Sequence, residues 1–502
     1  MYLYKQKVTA LATNKYPMEH SIRIKEEAAR CLLCNDAPCT KACIKGLDPA
    51  RGLRAIKFDN TECAGLYFSN EGCSLCEAPC EKKCIHYDLP IRIKAVAERV
   101  AKREEKPKAD LSIDFCGIHC ENPFFLASSA VCTNYEMVAN AFEMGWGGVV
   151  YKTICLEEIN EVSPRFDSVE DEKGEFWGFR NMEQLSENPP EVDFDILKRL
   201  KQNYPTKVVI ASIMGKNEEE WVILAQKAEA AGVDAVELNY SCPQMKYAGM
   251  GSDVGQNSEL VTIYTHYVKQ AVKIPVIPKM TPNITNIMTP AQAAYFSGAD
   301  AVSAINTIKS ITMSNSSAVS GKKTTSGYSG KAIKPIALRH VLDITKHPLL
   351  KGFEVSGIGG IETWRDALEF LQLGCTNTQI CTAVMQYGYR IIDDLKDGMA
   401  NYMQQNNIAH LSEIVGSELP SFVRPDFLDR ETFIMPTIDR EKCLGCGRCY
   451  ISCRDGGHQA IEFDTERKPH IIGKKCVGCH LCRLVCPSGA IGLAKRVPKR
   501  PN

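Results

Sequence analysis

The chain has 502 residues, 44% hydrophobic and 24% charged, the make-up of an ordinary folded protein long enough for more than one domain. Its 60 Lys and Arg balance 60 Asp and Glu, so no basic surplus points to nucleic acid. No apolar run reaches the roughly 18 residues of a membrane span, and Met1–Arg30 lacks the apolar core of a signal peptide. A cytoplasmic chain with neither membrane nor nucleic acid as partner is therefore expected. Cysteine is the departure: there are 24, and in a reducing cytosol they argue for metal or redox work over disulfides.

Residues 1–100 form the first predicted domain, a helical, cysteine-rich segment. Cys31, Cys34, Cys39 and Cys43 make one run; Cys73, Cys76, Cys80 and Cys84 make another. Eight cysteines leave little apolar material for a core, so bound metal would supply much of the folding free energy. Spacing alone allows iron–sulfur clusters or two zinc sites. The charged stretch Ala101–Asp110 (AKREEKPKAD) reads as a linker.

Residues 111–405 alternate short apolar runs with amphipathic helical patterns. Strands are predicted near Phe124–Ser128, Gly147–Thr153, Lys207–Ile213, Ala235–Asn239, Pro275–Lys279, Ala301–Ile305, Phe353–Ser356 and Thr376–Cys381. Helices such as Glu218–Ala231 and Thr363–Leu373 fall between them. Eight strands with crossover helices predict an α/β fold, a (β/α)₈ barrel with its chemistry at the carboxyl ends of the strands.

A polar connection, roughly Asn406–Arg440, leads into the last domain, residues 436–495. Cys443, Cys446, Cys449 and Cys453 are spaced two, two, three; Cys476, Cys479, Cys482 and Cys486 repeat this, and Pro487 follows. That is the two-cluster ferredoxin pattern, in which the fourth cysteine of each run ligates the other cluster. One 4Fe–4S cluster is expected on Cys443, Cys446, Cys449 and Cys486, the other on Cys476, Cys479, Cys482 and Cys453. Structural zinc prefers paired CxxC units separated by long gaps.

Several motifs in order carry a resemblance. CLLCNDAPCTKAC, and CEAPCEKKC before a Pro-Ile segment, resemble the N-terminal cluster domain of dihydropyrimidine dehydrogenase and of the glutamate synthase small subunit. The resemblance implies two 4Fe–4S clusters with interleaved ligands. Cys31, Cys34, Cys39 and Cys84 would hold one, and Cys43, Cys76 and Cys80 most of the other. The family completes the second with Gln or Glu at the position of Ala97; here Cys73 or the adjacent Glu98 could serve, with Cys63 a further candidate.

From about Leu111 to Gln404 the chain resembles the flavin-mononucleotide barrel of the same family, and more distantly dihydroorotate dehydrogenase. SGIGGIETW (Ser356–Trp364) and MQYGYRIIDD (Met385–Asp394) bring it nearest to the bacterial subunit that pairs with a separate flavoprotein. The resemblance implies FMN, with Ser128, Lys152, Thr153, Asn239, Lys279, Gly330, Gly359, Gly360, Cys381 and Thr382 as its contacts, Cys381 through its backbone. Asn181, Glu183, Asn239, Ser241, Asn306 and Thr307 match the family's pyrimidine pocket. Amides and one carboxylate suit a ring edge that alternates N–H donors with carbonyl acceptors. Cys242, in the run from Asn239 at the end of strand four, would be the general acid, and Lys279 would stabilise reduced flavin. A lone buried cysteine is more often inert packing; its NxSCP context argues for the reactive role. Gly249, Gly251 and Gly255 suit a loop that closes over substrate, and do not run from strand to helix as a dinucleotide fingerprint must.

The family's FAD and NAD(P)H domains have no counterpart in this sequence; Ala101–Asp110 stands in their place. Electrons are therefore expected from a partner flavoprotein, through the N-terminal and then the ferredoxin clusters, to the flavin. A homo-oligomer within a heteromeric complex is the expected assembly. The expected reaction is reduction of the 5,6-double bond of uracil or thymine, or its reverse. Dihydroorotate oxidation is the second enzymatic reading; an electron-transfer subunit whose barrel has lost its substrate is the reading from another class.

Overall fold

Proline opens the short helices of the N-terminal segment. Pro38 and Pro79 each start a four-residue helix, Pro38–Lys41 and Pro79–Lys82, where a missing N–H costs nothing. Each follows an alanine in the left-handed region, Ala37 at φ 43° and Ala78 at φ 53°. The two cysteine runs therefore repeat a backbone shape. Helix α1 (Pro49–Lys57) begins at Asp48, whose carboxylate accepts the Arg51 N–H at 3.1 Å, and it buries Leu53, Ala55 and Ile56. The protein is seen here as a computed structural model that describes residues 24–170, 176–243, 245, 249–313 and 323–499.

The eight strands read from the sequence are the eight strands of a closed barrel. They are β1 (Phe124–Leu126), β2 (Gly148–Val150), β3 (Val208–Ile213), β4 (Ala235–Asn239), β5 (Val276–Lys279), β6 (Ala301–Ala304), β7 (Glu354–Ile358) and β8 (Asn377–Ile380). They pair in parallel in chain order, and β8 closes on β1. Nearly every strand residue is buried, as parallel strands covered by helices require. Helix caps follow local chemistry: Thr363 and Asp366 form a capping box for α2 (Trp364–Gln372). The last barrel helix is α3 (Ile391–Gln405).

A second sheet escaped the sequence reading. Ile308–Ser310, Ser326–Ser329, Phe176–Asn181 and Phe166–Glu170 form a four-stranded antiparallel sheet, built from excursions after β2 and β6. These strands are short and only partly buried, so they leave no clear alternation to detect.

Packing divides the chain into two units, Met1–Leu419 and Pro420–Asn502. In the second, Thr432–Ile438 pairs with Ile491–Pro498 and Ile461–Phe463 with Pro469–Ile471. Helix Arg448–Gly456 carries Cys449 and Cys453. In the first, the N-terminal segment shares its core with the barrel. No helix among the described residues is long and apolar enough to cross a membrane.

The seam between segment and barrel is charged. Arg54 Nε meets Asp394 Oδ2 at 2.7 Å with both side chains nearly buried, and Arg51 Nη2 meets Asp393 Oδ2 at 2.9 Å. Trp364 Nε1 donates to the Asp59 carbonyl at 3.1 Å, and Phe58 packs edge-on against Tyr387. Burial pushes Asp394 up to about 6 even with Arg54 beside it. Arg54→Ala should therefore loosen the segment by about 3–5 kcal/mol, the cost of stranding a buried charge. With its cation gone the carboxyl protonates more readily still, so the loss should be greater at pH 8 than at pH 5.5. Hydrogen exchange over residues 24–100 at the two pH values reads both effects.

Candidate functional site

One cavity opens at the carboxyl end of the barrel, about 1070 Å³ of empty space, part of it open to solvent. Its polar lining follows from closure, because each contribution comes at or just after a strand end. Ser128 follows β1; Lys152 and Thr153 follow β2; Asn239 ends β4, with Cys242 just beyond; Lys279 ends β5. Asn306 and Thr307 follow β6, Gly359 and Gly360 follow β7, and Cys381 and Thr382 follow β8. The antiparallel sheet supplies Asn181, with Glu183 and Gly330 just past its strands.

Of the expected site residues, Ser241 alone does not line this cavity. It is fully buried behind it, where its hydroxyl donates to Asn239 Oδ1 at 2.9 Å and accepts from Asn306 Nδ2 at 2.8 Å. Ser241 thus fixes which face each amide presents. Asn239 Nδ2 in turn donates to Thr153 Oγ1 at 3.0 Å. Glu183 pairs with Lys152 at 3.0 Å, both almost completely buried, and Asn181 Oδ1 accepts the Glu183 N–H at 2.7 Å.

Two further residues support the site from inside the barrel. Lys279 Nζ lies 3.3 Å from Glu237 Oε1 in the middle of β4, and Gln379 on β8 donates to Glu237 Oε2 at 3.1 Å. Gln379 also reaches Ser303 and Ser356 at 3.1 and 3.0 Å. Glu237 carried a signal, a carboxylate inside an otherwise largely apolar strand; Gln379, in the polar run Asn377–Ile380, carried none.

Cys242 is 6% exposed, and its carbonyl accepts the Ser252 N–H at 2.9 Å. Gly251, at φ 57°, permits that return, since a Cβ there would lie 2.4 Å from the Cys242 carbonyl oxygen. The middle of the glycine-containing loop, residues 244 and 246–248, lies outside the described residues. At the far end, Gly330, Gly359 and Gly360 all have positive φ, and a Cβ on Gly360 would sit 2.9 Å from the Gly330 carbonyl oxygen. This bare backbone, from the loop after β7 and the turn at Gly330, fits a phosphate-bearing flavin, as barrels hold phosphate near β7 and β8 through main-chain N–H groups.

Three sets of four cysteines each line a cavity of their own. Cys31, Cys34, Cys39 and Cys84 ring one cavity of about 390 Å³. Cys443, Cys446, Cys449 and Cys486 ring another of about 350 Å³, and Cys453, Cys476, Cys479 and Cys482 a third of about 350 Å³. Three separate loops enclosing nearly equal spaces argue for the same occupant. Among the described residues no three His, Cys, Asp or Glu side chains stand close enough to hold one metal ion. Four cysteines around each cavity match the ligand count of a 4Fe–4S cluster. Cys73 lies near Cys43, Cys76 and Glu98, and Cys80 near Cys43. Cys63 faces Arg103 and the Asp397 carbonyl at the barrel seam. None of the 24 cysteines forms a disulfide.

Residues 110–403 match the dihydroorotate dehydrogenase family, and residues 436–493 match the 4Fe-4S dicluster domain. The chain is 51% identical over 393 residues to the NAD-dependent dihydropyrimidine dehydrogenase subunit PreA of Escherichia coli (strain K12), covering 77% of this chain and 96% of that one. It is 38% identical over 331 residues to the chloroplastic dihydropyrimidine dehydrogenase (NADP(+)) of Arabidopsis thaliana, covering 62% and 78%. A crystal structure of DHODH from Eimeria tenella in complex with ferulenol shares the fold, at TM-score 0.53 and 20% identity over 63% of this chain and 90% of that one.

Lys279→Met should strand Glu237, which is 1% exposed, and destabilise the barrel by about 3–5 kcal/mol. Lys279→Met with Glu237→Leu removes both charges and should regain most of that loss. Denaturant titration of the three proteins measures it; a double variant no better than the single would show that the pair is not coupled.

Proposed function

The chain belongs to the dihydropyrimidine dehydrogenase family, oxidoreductases that act on CH–CH bonds, and we propose that it interconverts uracil or thymine with the 5,6-dihydro ring. The observation that carries this reading is the single cavity lined together by Cys242, Lys279, Asn181, Glu183, Asn239, Asn306 and Thr307. The amides and the carboxylate can answer both the N–H and the carbonyl groups of a pyrimidine edge. Both lysines that line the cavity already face carboxylates, Lys152 with Glu183 and Lys279 with Glu237. Both are also candidate flavin holders, so what charge they have left is directed at the flavin and not at a substrate carboxylate, which favours an uncharged ring over orotate, the second reading.

FMN, with Ser128, Lys152, Thr153, Asn239, Lys279, Gly330, Gly359, Gly360, Cys381 and Thr382 as its candidate holders, would supply or accept a hydride at one carbon of the double bond. Cys242 donates a proton to the neighbouring carbon in the reduction, and its thiolate takes it back in the reverse direction. Asn239 and Asn306, locked by Ser241, orient the ring so that this carbon meets the thiol. Lys279 offers positive charge to the reduced ring, and Glu237 and Gln379 hold the lysine in place.

Electrons come from an FAD- and NAD(P)H-binding flavoprotein in the cytoplasm, through four 4Fe–4S clusters. A relative's name as an NAD-dependent enzyme's subunit supports such a partner. The second N-terminal cluster takes Cys43, Cys76 and Cys80, with Cys73 or Glu98 as the fourth ligand.

Anaerobically purified chain should hold about sixteen irons and one FMN, four irons to each cluster. A content near eight irons would remove the N-terminal clusters while sparing the ferredoxin pair. Cys242→Ser keeps a hydroxyl in place with a pKa too high to give up its proton readily. Its turnover should fall 10²–10⁴-fold, about 3–5 kcal/mol of barrier, with flavin content, cluster spectra and pyrimidine affinity retained. Stopped-flow reduction with uracil and thymine measures this; near-normal turnover would mean that another group delivers the proton.

A further inference from the structure

Two cations outside every ion pair among the described residues converge on the loop that carries Cys31 and Cys34. Arg390, just before α3, gives Nη2 to the Leu33 carbonyl at 2.6 Å and Nε to the Tyr387 carbonyl at 3.0 Å. Lys57, the last residue of α1, gives Nζ to the Cys31 carbonyl at 3.1 Å and lies 5.5 Å from the centre of the Tyr387 ring. The carboxylates close by are engaged elsewhere. Asp393 pairs with Arg51 and Arg54, Asp394 with Arg54, and Asp48 accepts from Thr40 and the Arg51 backbone. Glu362, whose charge reaches Lys57, is pushed toward its neutral form by burial.

Partly buried cations without a paired anion are costly. Both donate to the backbone of the loop whose Cys31 and Cys34 ring a cavity with Cys39 and Cys84, and Arg390 itself lines the neighbouring cavity beside Leu33 and Cys34. A 4Fe–4S cluster on four thiolates carries roughly two negative charges, and roughly three once it takes an electron. The charges of Arg390 and Lys57 already act on the thiols of this set. The other N-terminal set has different company. Lys94 Nζ donates to the Cys76 carbonyl at 3.1 Å; Glu81 adjoins Cys80 but is itself pushed toward its neutral form by burial, and Glu98 lies near Cys73. Two cations favour the added electron at the first set, whereas one cation is set against the Glu98 carboxylate at the second.

We propose that Arg390 and Lys57 are positioning residues that raise the reduction potential of the cluster held by Cys31, Cys34, Cys39 and Cys84 above that of its N-terminal neighbour. Electrons given to the segment therefore settle on the cluster whose loop Arg390 reaches. Arg390 belongs to the barrel and Lys57 to the segment, so only the share of Arg390 depends on docking. The proposal rests on the four-cluster reading above. Each reduction adds one electron to a cluster; no bond forms or breaks, and no proton has to move.

The test is an anaerobic redox titration of the whole chain, with dithionite as reductant and the clusters followed by electron paramagnetic resonance. Arg390→Gln and Lys57→Gln should each make one N-terminal cluster about ten-fold harder to reduce, about 59 mV for a one-electron couple, with iron content unchanged. Arg390→Lys keeps the charge and should recover most of the shift, which a merely structural role would not explain. Unchanged potentials in both Gln variants, or loss of iron in place of a shift, overturn the proposal. Wild-type chain with no iron beyond its ferredoxin unit would overturn it together with the cluster assignment, a result distinct from either.

Discussion

Closure of eight parallel strands is the constraint on which the rest of the first unit depends. Parallel strands all end at the same rim, so β1, β2 and β4–β8 deliver the residue at or just beyond their last position to one mouth. Residues as distant in sequence as Ser128 and Thr382 become neighbours by that rule alone. The barrel interior, by contrast, must satisfy every polar group it encloses. Glu237, Lys279, Gln379, Ser303 and Ser356 meet most of this demand as one network, with Gln379 Oε1 left without a partner. That network ties the lysine facing the cavity to the packed centre, so the site's charge and the stability of the fold are coupled.

The site is stiff where orientation matters. Ser241 touches both Asn239 and Asn306 from behind, and a single hydroxyl thereby selects the donor and acceptor faces of two amides. The strand end that carries Cys242 is held by the return of residues 251–255, where glycine is needed for close approach at Gly251 and again at Gly255. These contacts exclude side chains, and they explain why the glycine-rich stretch is more than a hinge.

The N-terminal segment shows how a barrel can complete the core of a segment built from short helices. Its helices run from four to nine residues, too short to be stable alone in water. They are held by the cysteine loops, by the buried Arg54–Asp394 contact and by Trp364 reaching the Asp59 carbonyl. The same seam brings Arg390 to the Cys31–Cys34 loop, so docking and the charge around that loop are one arrangement.

The amino-acid sequence alone determined the eight barrel strands and the cysteine sets of the second unit, because periodicity and spacing are local and survive without coordinates. The two-two-three repeats named the very groups that ring two cavities of the second unit. Resemblance carried the residues of the barrel mouth, all of which line it except Ser241, which stands one layer behind. Only the tertiary structure decided that layer, the antiparallel sheet that delivers Asn181, and the placing of Cys63 against Arg103, away from the other cysteines. Arg390 belongs with these. Nothing within several residues of it in the chain predicts a bond to Leu33, more than three hundred positions earlier. Such contacts arise from packing between distant segments, and local pattern carries no record of which segments will meet.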